Sequence, residues 1–373
     1  MQKVHDLQTS GRRLAFGLAV VLGLGCAPAA AQQAAPAATA DSPDTGAANN
    51  GGANYGAAVL MYHRFGEDSL PSTSVRLEQF EAHLAELTSG RYRVMGLPEI
   101  VARLRRGEAL PDRAVAITVD DAALSVYSEA WPRLKAAGLP FTLFVSTEPL
   151  DLNLAGTMSW AQLREMAADP LVTVGNHGHS HAHMAWLDAA AQRREIEQAA
   201  ARLRAELGAA PALFAYPYGE MSSALRQHVI EAGFEAAFGQ HSGATGATSD
   251  PFALPRFPLN EAYGDMERFR LVANTLPLPV DDITPADPAI TESGQNPPNV
   301  GFTVTAPLGN LDALQCFASA GAPEMTRLGE RIELRFATAF PAGRARINCT
   351  LPAGGGRWRW FGTQFVVAKR AVP

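Results

Sequence analysis

The chain has 373 residues, with 37 acidic against 31 basic side chains and a net charge of −6. That balance argues against nucleic acid or an anionic membrane surface as the main partner. The length leaves room for more than one domain.

Residues 1–31 read as a signal peptide. Lys3, Arg12 and Arg13 make a basic start. Leu14 to Leu24 is apolar but too short to cross a bilayer as a helix, and Ala29-Ala30-Ala31 offers a small-residue cleavage site. Export is expected, to the periplasm or beyond. Two variants stay open. Arg12-Arg13 fits a twin-arginine signal, and Cys26 a lipid-attachment site, although Gly23 stands where leucine is usual. Removing the segment takes away three basic residues and Asp6, leaving a net charge of −8. Residues 32–56 hold Ala, Pro, Gly, Asn and Asp with little to bury, and read as a disordered linker. No transmembrane helix is expected elsewhere, while association with the cell envelope stays open.

From residue 57 to residue 276, short apolar runs alternate with amphipathic stretches. The expected strands are Ala58–Tyr62, Tyr92–Met95, Ala114–Val119, Phe141–Ser146, Leu171–Val174, Ala212–Tyr216 and Glu235–Phe238. The expected helices are Leu77–Leu87, Pro98–Arg106, Ser125–Ala137, Ser159–Ala168, Asp188–Leu207 and Ser222–Ala232. Gly138, Gly208 and Gly233 stop three of them, and Ser159 and Ser222 are N-cap candidates. Repeated strand–helix units predict a parallel sheet with helices outside. Their number suits an α/β fold of barrel type, a distorted (β/α)7 barrel, with an open doubly wound sheet as the alternative. Residues 277–300 read as a linker. Residues 301–373 carry short β-prone runs with Gly and Pro between them, as in a small β-sandwich. This part holds Cys316 and Cys349, expected to form a disulfide in an exported protein. Trp358, Trp360 and Phe361 read as core residues before a sugar-stacking platform.

Three stretches carry chemistry. In AVAITVDDAALSVY (114–127), a buried strand ends on Asp120 and Asp121. Carboxylates at the C-terminal tip of a parallel strand stand where α/β folds do chemistry. Side chains alternate along a strand, so one can hold a metal and its neighbour manage a proton. In VTVGNHGHSHAHMAW (172–186), His177, His179, His181 and His183 follow another strand end. A helical turn would align His177 with His181, and the same spacing fits His179 with His183. A carboxylate with two imidazoles is a normal divalent-metal set. In ALFAYPYGEMS (212–222), a strand runs into the rigid turn Tyr216-Pro217-Tyr218-Gly219. Such a turn can aim a backbone N–H at a developing oxyanion.

Together the three stretches resemble the polysaccharide deacetylase family, carbohydrate esterase family four, over about residues 57–265. The resemblance implies Asp120 as general base and Asp121 as metal ligand. It favours His177 and His181 as the other ligands, because Gly175-Asn176 precedes the first and Ser180 the second. It implies that the Tyr218 backbone N–H lines the oxyanion hole, with Tyr216 and Pro217 in contact with substrate. Two departures stand out. The family's third motif begins with Arg, here Ala215, and its later Leu-x-His motif is not evident. Arg256 and His241 are the substitutes we assign: Arg256 to steady Asp120 from just after the last strand, and His241 as general acid. Removal of Arg256 is expected to leave stability little changed. His63 ends the first strand and is expected to face the same cavity as a substrate contact. The implied activity is an exported, metal-dependent hydrolase that removes N-acetyl groups from a polysaccharide. The metal would be zinc, or cobalt, nickel or manganese. Two rivals are an O-acetyl esterase and an inactive glycan-binding protein.

Overall fold

The computed structural model describes residues 56–290 and 295–368. The expected signal peptide and nearly all of the first linker lie outside the described residues, and so do residues 291–294.

Six strands follow one another around a parallel sheet: β1 (Ala57–Tyr62), β2 (Ala114–Asp120), β3 (Phe141–Val145), β4 (Val172–Asn176), β5 (Leu213–Ala215) and β6 (Ala236–Phe238). β2 is buried along its whole length, as a strand covered on both faces must be. The expected strand at Tyr92–Met95 is only a two-residue appendage, Arg93–Val94, on the start of β2. The seventh place belongs to β7 (Phe257–Pro258), too short to show a pattern in the sequence. β7 pairs with β1 through Leu60–Phe257, while Leu254, three residues earlier, bridges to Phe238 of β6. The segment 254–258 therefore joins both edges of the sheet, and Arg256 sits at the seam.

The helices form where expected, because their ends carry the right side chains. Ser159, Asp188 and Ser222 each accept a hydrogen bond from a first-turn N–H. Gly208, at φ 84°, closes Ala189–Leu207 in the left-handed conformation that glycine tolerates. Ser125–Ala137 is not one regular helix: Val126–Ala130 is a wider π turn ahead of Trp131–Ala136. The helix Met266–Ala273 was not anticipated.

The stretch 277–300 is not a plain linker. It contributes strand β8 (Val280–Thr284) to a sandwich. β8 pairs with β9 (Val300–Val304), which pairs with β11 (Arg331–Arg335), and β11 with β10 (Glu324–Leu328). The facing sheet is built on β12 (Gly343–Pro352) and β13 (Trp358–Val367), with Gln315–Ala318 beside β12 and Leu276–Pro277 and Ala289–Ile290 beside β13. Phe302, Ile332, Leu334, Ile347 and Phe365 fill the space between the sheets. Cys316 and Cys349 stand opposite one another and are disulfide-bonded. Trp360 is not a sugar platform: it is 6% exposed, packs edge-on against Phe257 in the barrel core and donates to Asn348. Phe361 packs on Phe302 inside the sandwich.

Candidate active site

Asp120 and Asp121 close β2, and the backbone turns sharply after Asp120. Asp121 and Ala122 take positive φ angles of 77° and 53°. Non-glycine residues are rarely held there, and such strain gathers at functional sites. The turn points the two carboxylates in different directions.

The Asp120 carboxylate points into the barrel and is fully buried. Arg256 crosses from the seam and grips it with two parallel bonds, Nη1 to Oδ1 at 2.7 Å and Nη2 to Oδ2 at 2.8 Å. The guanidinium also donates to Thr118 Oγ1 at 3.2 Å and through Nε to the Gly239 carbonyl at 2.9 Å. Burial pushes the Asp120 pKa up, but the Arg256 charge and hydrogen bonds, with His177 and His63 nearby, more than offset this, and the net direction is down.

Asp121 meets the imidazoles. Its Oδ1 lies 3.4 Å from His177 Nε2 and 3.2 Å from His181 Nε2. The three atoms lie within 4.8 Å of one another. Asp121 Oδ1 and His177 Nε2 are buried without a hydrogen-bond partner, so the donor set converges on a point that no protein group fills. One carboxylate and two imidazoles, with room for further ligands, fit a divalent cation. Burial raises the Asp121 pKa, and the adjoining imidazoles outweigh it and hold the group well below its usual range.

The histidine register comes from a loop, not from the helical turn that the spacing suggested. Gly178 and His181 both take left-handed φ angles, 75° and 55°, and double the chain back. Glu195 ties the loop down by accepting from the His179 and Ser180 N–H groups at 2.9 and 2.8 Å. Asn176 accepts from Gly178 N–H. Gly175 admits no side chain, because a Cβ would lie 2.4 Å from the Phe144 ring. His177 is oriented by its Nδ1, which donates to the Ala215 carbonyl at 2.8 Å and leaves Nε2 free. His179 faces elsewhere, 2.7 Å from Thr147 Oγ1, and His183 bonds Glu220 at 2.7 Å.

Tyr218 stands beside His181, ring centroids 4.4 Å apart, at the left-handed φ of 59°. His63 is at the same cavity, with Nε2 3.9 Å from Asp120 Oδ2. Burial lowers its pKa, against the pull of Asp121 and Asp120.

Three expected residues are elsewhere. The His241 ring turns back over Gly239 and lines a cleft between barrel and sandwich, so it does not face the carboxylates. Tyr216 is fully buried against Phe214 and donates to the Phe252 carbonyl, and Pro217 is buried behind it. Neither is placed to touch a glycan. Sequence reasoning missed Glu195, and it named Thr118 and Asn176 only as motif members, without the contacts that they form in the fold.

Comparison with known proteins places this barrel. Residues 107–237 match the family model "Polysaccharide deacetylase". That match covers about a third of the chain and makes the barrel similar to the polysaccharide deacetylases. Two similar sequences are the poly-beta-1,6-N-acetyl-D-glucosamine N-deacetylases of Escherichia coli K12 and Staphylococcus aureus MSSA476. The first is 25% identical over 54% of this chain and 36% of its own length; the second is 24% identical over 54% and 73%. This chain thus spans about a third of the Escherichia coli protein. Among solved structures, IcaB from Ammonifex degensii aligns with a TM-score of 0.52 and 26% identity over 59% of this chain and 97% of that one. The Streptococcus pyogenes deacetylase PplD shares the fold, with a TM-score of 0.54 and 20% identity over 58% and 98%.

Proposed function

We propose that this protein is an exported, divalent-metal hydrolase that removes N-acetyl groups from a β-linked N-acetylglucosamine polysaccharide. The observation that carries this reading is the buried Asp120–Arg256 pair lying against the Asp121, His177 and His181 cluster. The names of the Escherichia coli and Staphylococcus aureus relatives support the choice of sugar and linkage. The disulfide supports an oxidising compartment.

Asp121, His177 and His181 would hold the metal; zinc suits such a set, and cobalt, nickel or manganese also fit it. The cation would supply Lewis acidity toward the amide carbonyl and the attacking water. Asp120 takes the proton of that water. Arg256 keeps Asp120 ionised and holds both of its oxygens, with Oδ2 3.9 Å from His177 Nε2. The Tyr218 N–H donates to the developing oxyanion. His63, not His241, hands a proton to the departing nitrogen, because its ring lies beside Asp120 and that of His241 does not.

Acetate release tests the reading. The protein, supplied with each metal in turn, is given oligosaccharides of poly-β-1,6-N-acetylglucosamine and, separately, O-acetylated xylan. Release from the first, lost in Asp120→Asn, is expected. Release only from the xylan would make it an esterase. Release from neither, with binding retained, would make it a glycan-binding protein.

A further inference from the structure

The turn that carries Tyr218 is not held by the barrel alone. Gln364, on β13 of the sandwich, donates from Nε2 to two successive carbonyls of the turn, Gly219 at 2.9 Å and Tyr218 at 3.2 Å. Arg344, on β12, approaches the same Tyr218 carbonyl at 3.4 Å and sets its guanidinium 5.7 Å from the centre of the Tyr218 ring. At the start of the helix that follows the turn (Ser223–Glu231), Ser223 N–H donates to Asp287 Oδ1 of the sandwich at 3.1 Å.

The clamp is rigid on both sides. Gln364 is 5% exposed. Two residues before it, Gly362 lies so close to the barrel loop that a Cβ there would stand 2.0 Å from the Ser242 carbonyl. On the barrel side, a Cβ at Gly219 would stand 2.4 Å from the Gln240 nitrogen. Tyr218 meanwhile keeps a left-handed backbone that a non-glycine residue leaves readily unless its surroundings over-determine it. Fixing the carbonyls of Tyr218 and Gly219 fixes the peptide planes on both sides of Gly219, and the Gly219 N–H bond to the Tyr216 carbonyl at 2.8 Å closes the turn, so the left-handed Tyr218 and the direction of its N–H are held between them.

We infer that Gln364, assisted by Arg344, is a positioning residue for the Tyr218 N–H, so that the C-terminal sandwich completes the active site of the barrel. This rests on the deacetylase reading for its effect on rate, and on geometry alone for its effect on the turn.

The full-length Gln364→Met variant tests it, since methionine fills the same space and donates no hydrogen bond. Hydrogen exchange in the peptide covering residues 213–222 should quicken at least tenfold relative to wild type. Acetate release should lose about 10- to 100-fold in kcat with KM within twofold, the pattern of an interaction felt in the transition state. Bound metal and melting temperature should match wild type. Unchanged exchange would overturn the clamp, and unchanged kcat would overturn its catalytic role. A wild-type protein that releases no acetate would sink the functional reading instead, and the exchange experiment would still decide whether the sandwich holds the turn.

Discussion

Arg256 and Asp120 meet through a two-point fork inside the barrel, both side chains fully buried. The family's arginine comes from the strand that here ends in Ala215, whose carbonyl instead serves His177. A guanidinium from the seam of the sheet thus reaches the same carboxylate by another route.

This pair predicts two different outcomes at one position. Arg256→Lys keeps the charge but loses the planar fork, and should cut kcat by roughly 10²-fold. Arg256→Ala leaves a buried carboxylate unpaired and should destabilise the protein by about 3–5 kcal/mol. The sequence alone suggested little effect on stability, because just after the last strand the side chain was expected to cross the mouth of the site, whereas it is fully buried. Chemical denaturation with steady-state kinetics checks both, and an Arg256→Lys enzyme with wild-type turnover would remove the fork from the mechanism.

The ligand register predicts metal content. His177→Ala should lose stoichiometric metal, whereas His179→Ala should retain it, because His179 faces Thr147 and Gln198. Elemental analysis after dialysis distinguishes them, and the reverse pattern would displace the cluster from the scheme.

Two buried imidazoles predict acid sensitivity. Burial lowers His83 and His241 to pKa values of about 4, from an ordinary 6.5. Between those values the unfolded chain binds protons that the folded one refuses, so stability falls as pH drops from 6.5 toward 4. For His83, which is fully buried, the loss amounts to at most about 3 kcal/mol. Its ring stacks on Phe269 and bonds Tyr62 and Gly264. Unfolding measured at several pH values should therefore be flatter over this window in His83→Gln. An unchanged slope would refute the assignment.

The disulfide predicts a redox-dependent sandwich. Cys316 and Cys349 are 33 residues apart, and opening that loop should lower stability by roughly 3–4 kcal/mol in the chain-entropy model. Denaturation with and without reductant measures it. Two titratable thiols in unreduced, unfolded protein from an oxidising compartment would refute the bond.

What the sequence made visible was whatever depends on local chemistry. Helix ends were legible because Ser159, Asp188, Ser222 and Gly208 act on their own backbone. The Asp120-Asp121 pair was legible only beside the histidine stretch and the Tyr-Pro-Tyr-Gly turn, since carboxylates ahead of a helix are common. Arg256 could be singled out by asking what would steady Asp120, but its burial could not, since β7 is two residues long and leaves no pattern. His177 and His181 suggested a helix by spacing, whereas Gly178 and a left-handed His181 make a loop that brings the same two rings together. His241 looked apt among glycines, yet the missing side chain at Gly239 is what lets its ring fold back, away from the carboxylates. His63 was expected at the cavity as a substrate contact; its Nε2 lies 3.9 Å from Asp120 Oδ2, which supports the proton-donor role proposed above.

Trp360 lies in the sandwich by chain order and in the barrel core by packing. A cut in the 277–300 stretch would leave one fragment with Phe257 uncovered and the other with a bare indole. The two halves share a keystone, so neither is an interchangeable cassette. Grafting this barrel onto another partner would have to carry a replacement for that one aromatic ring.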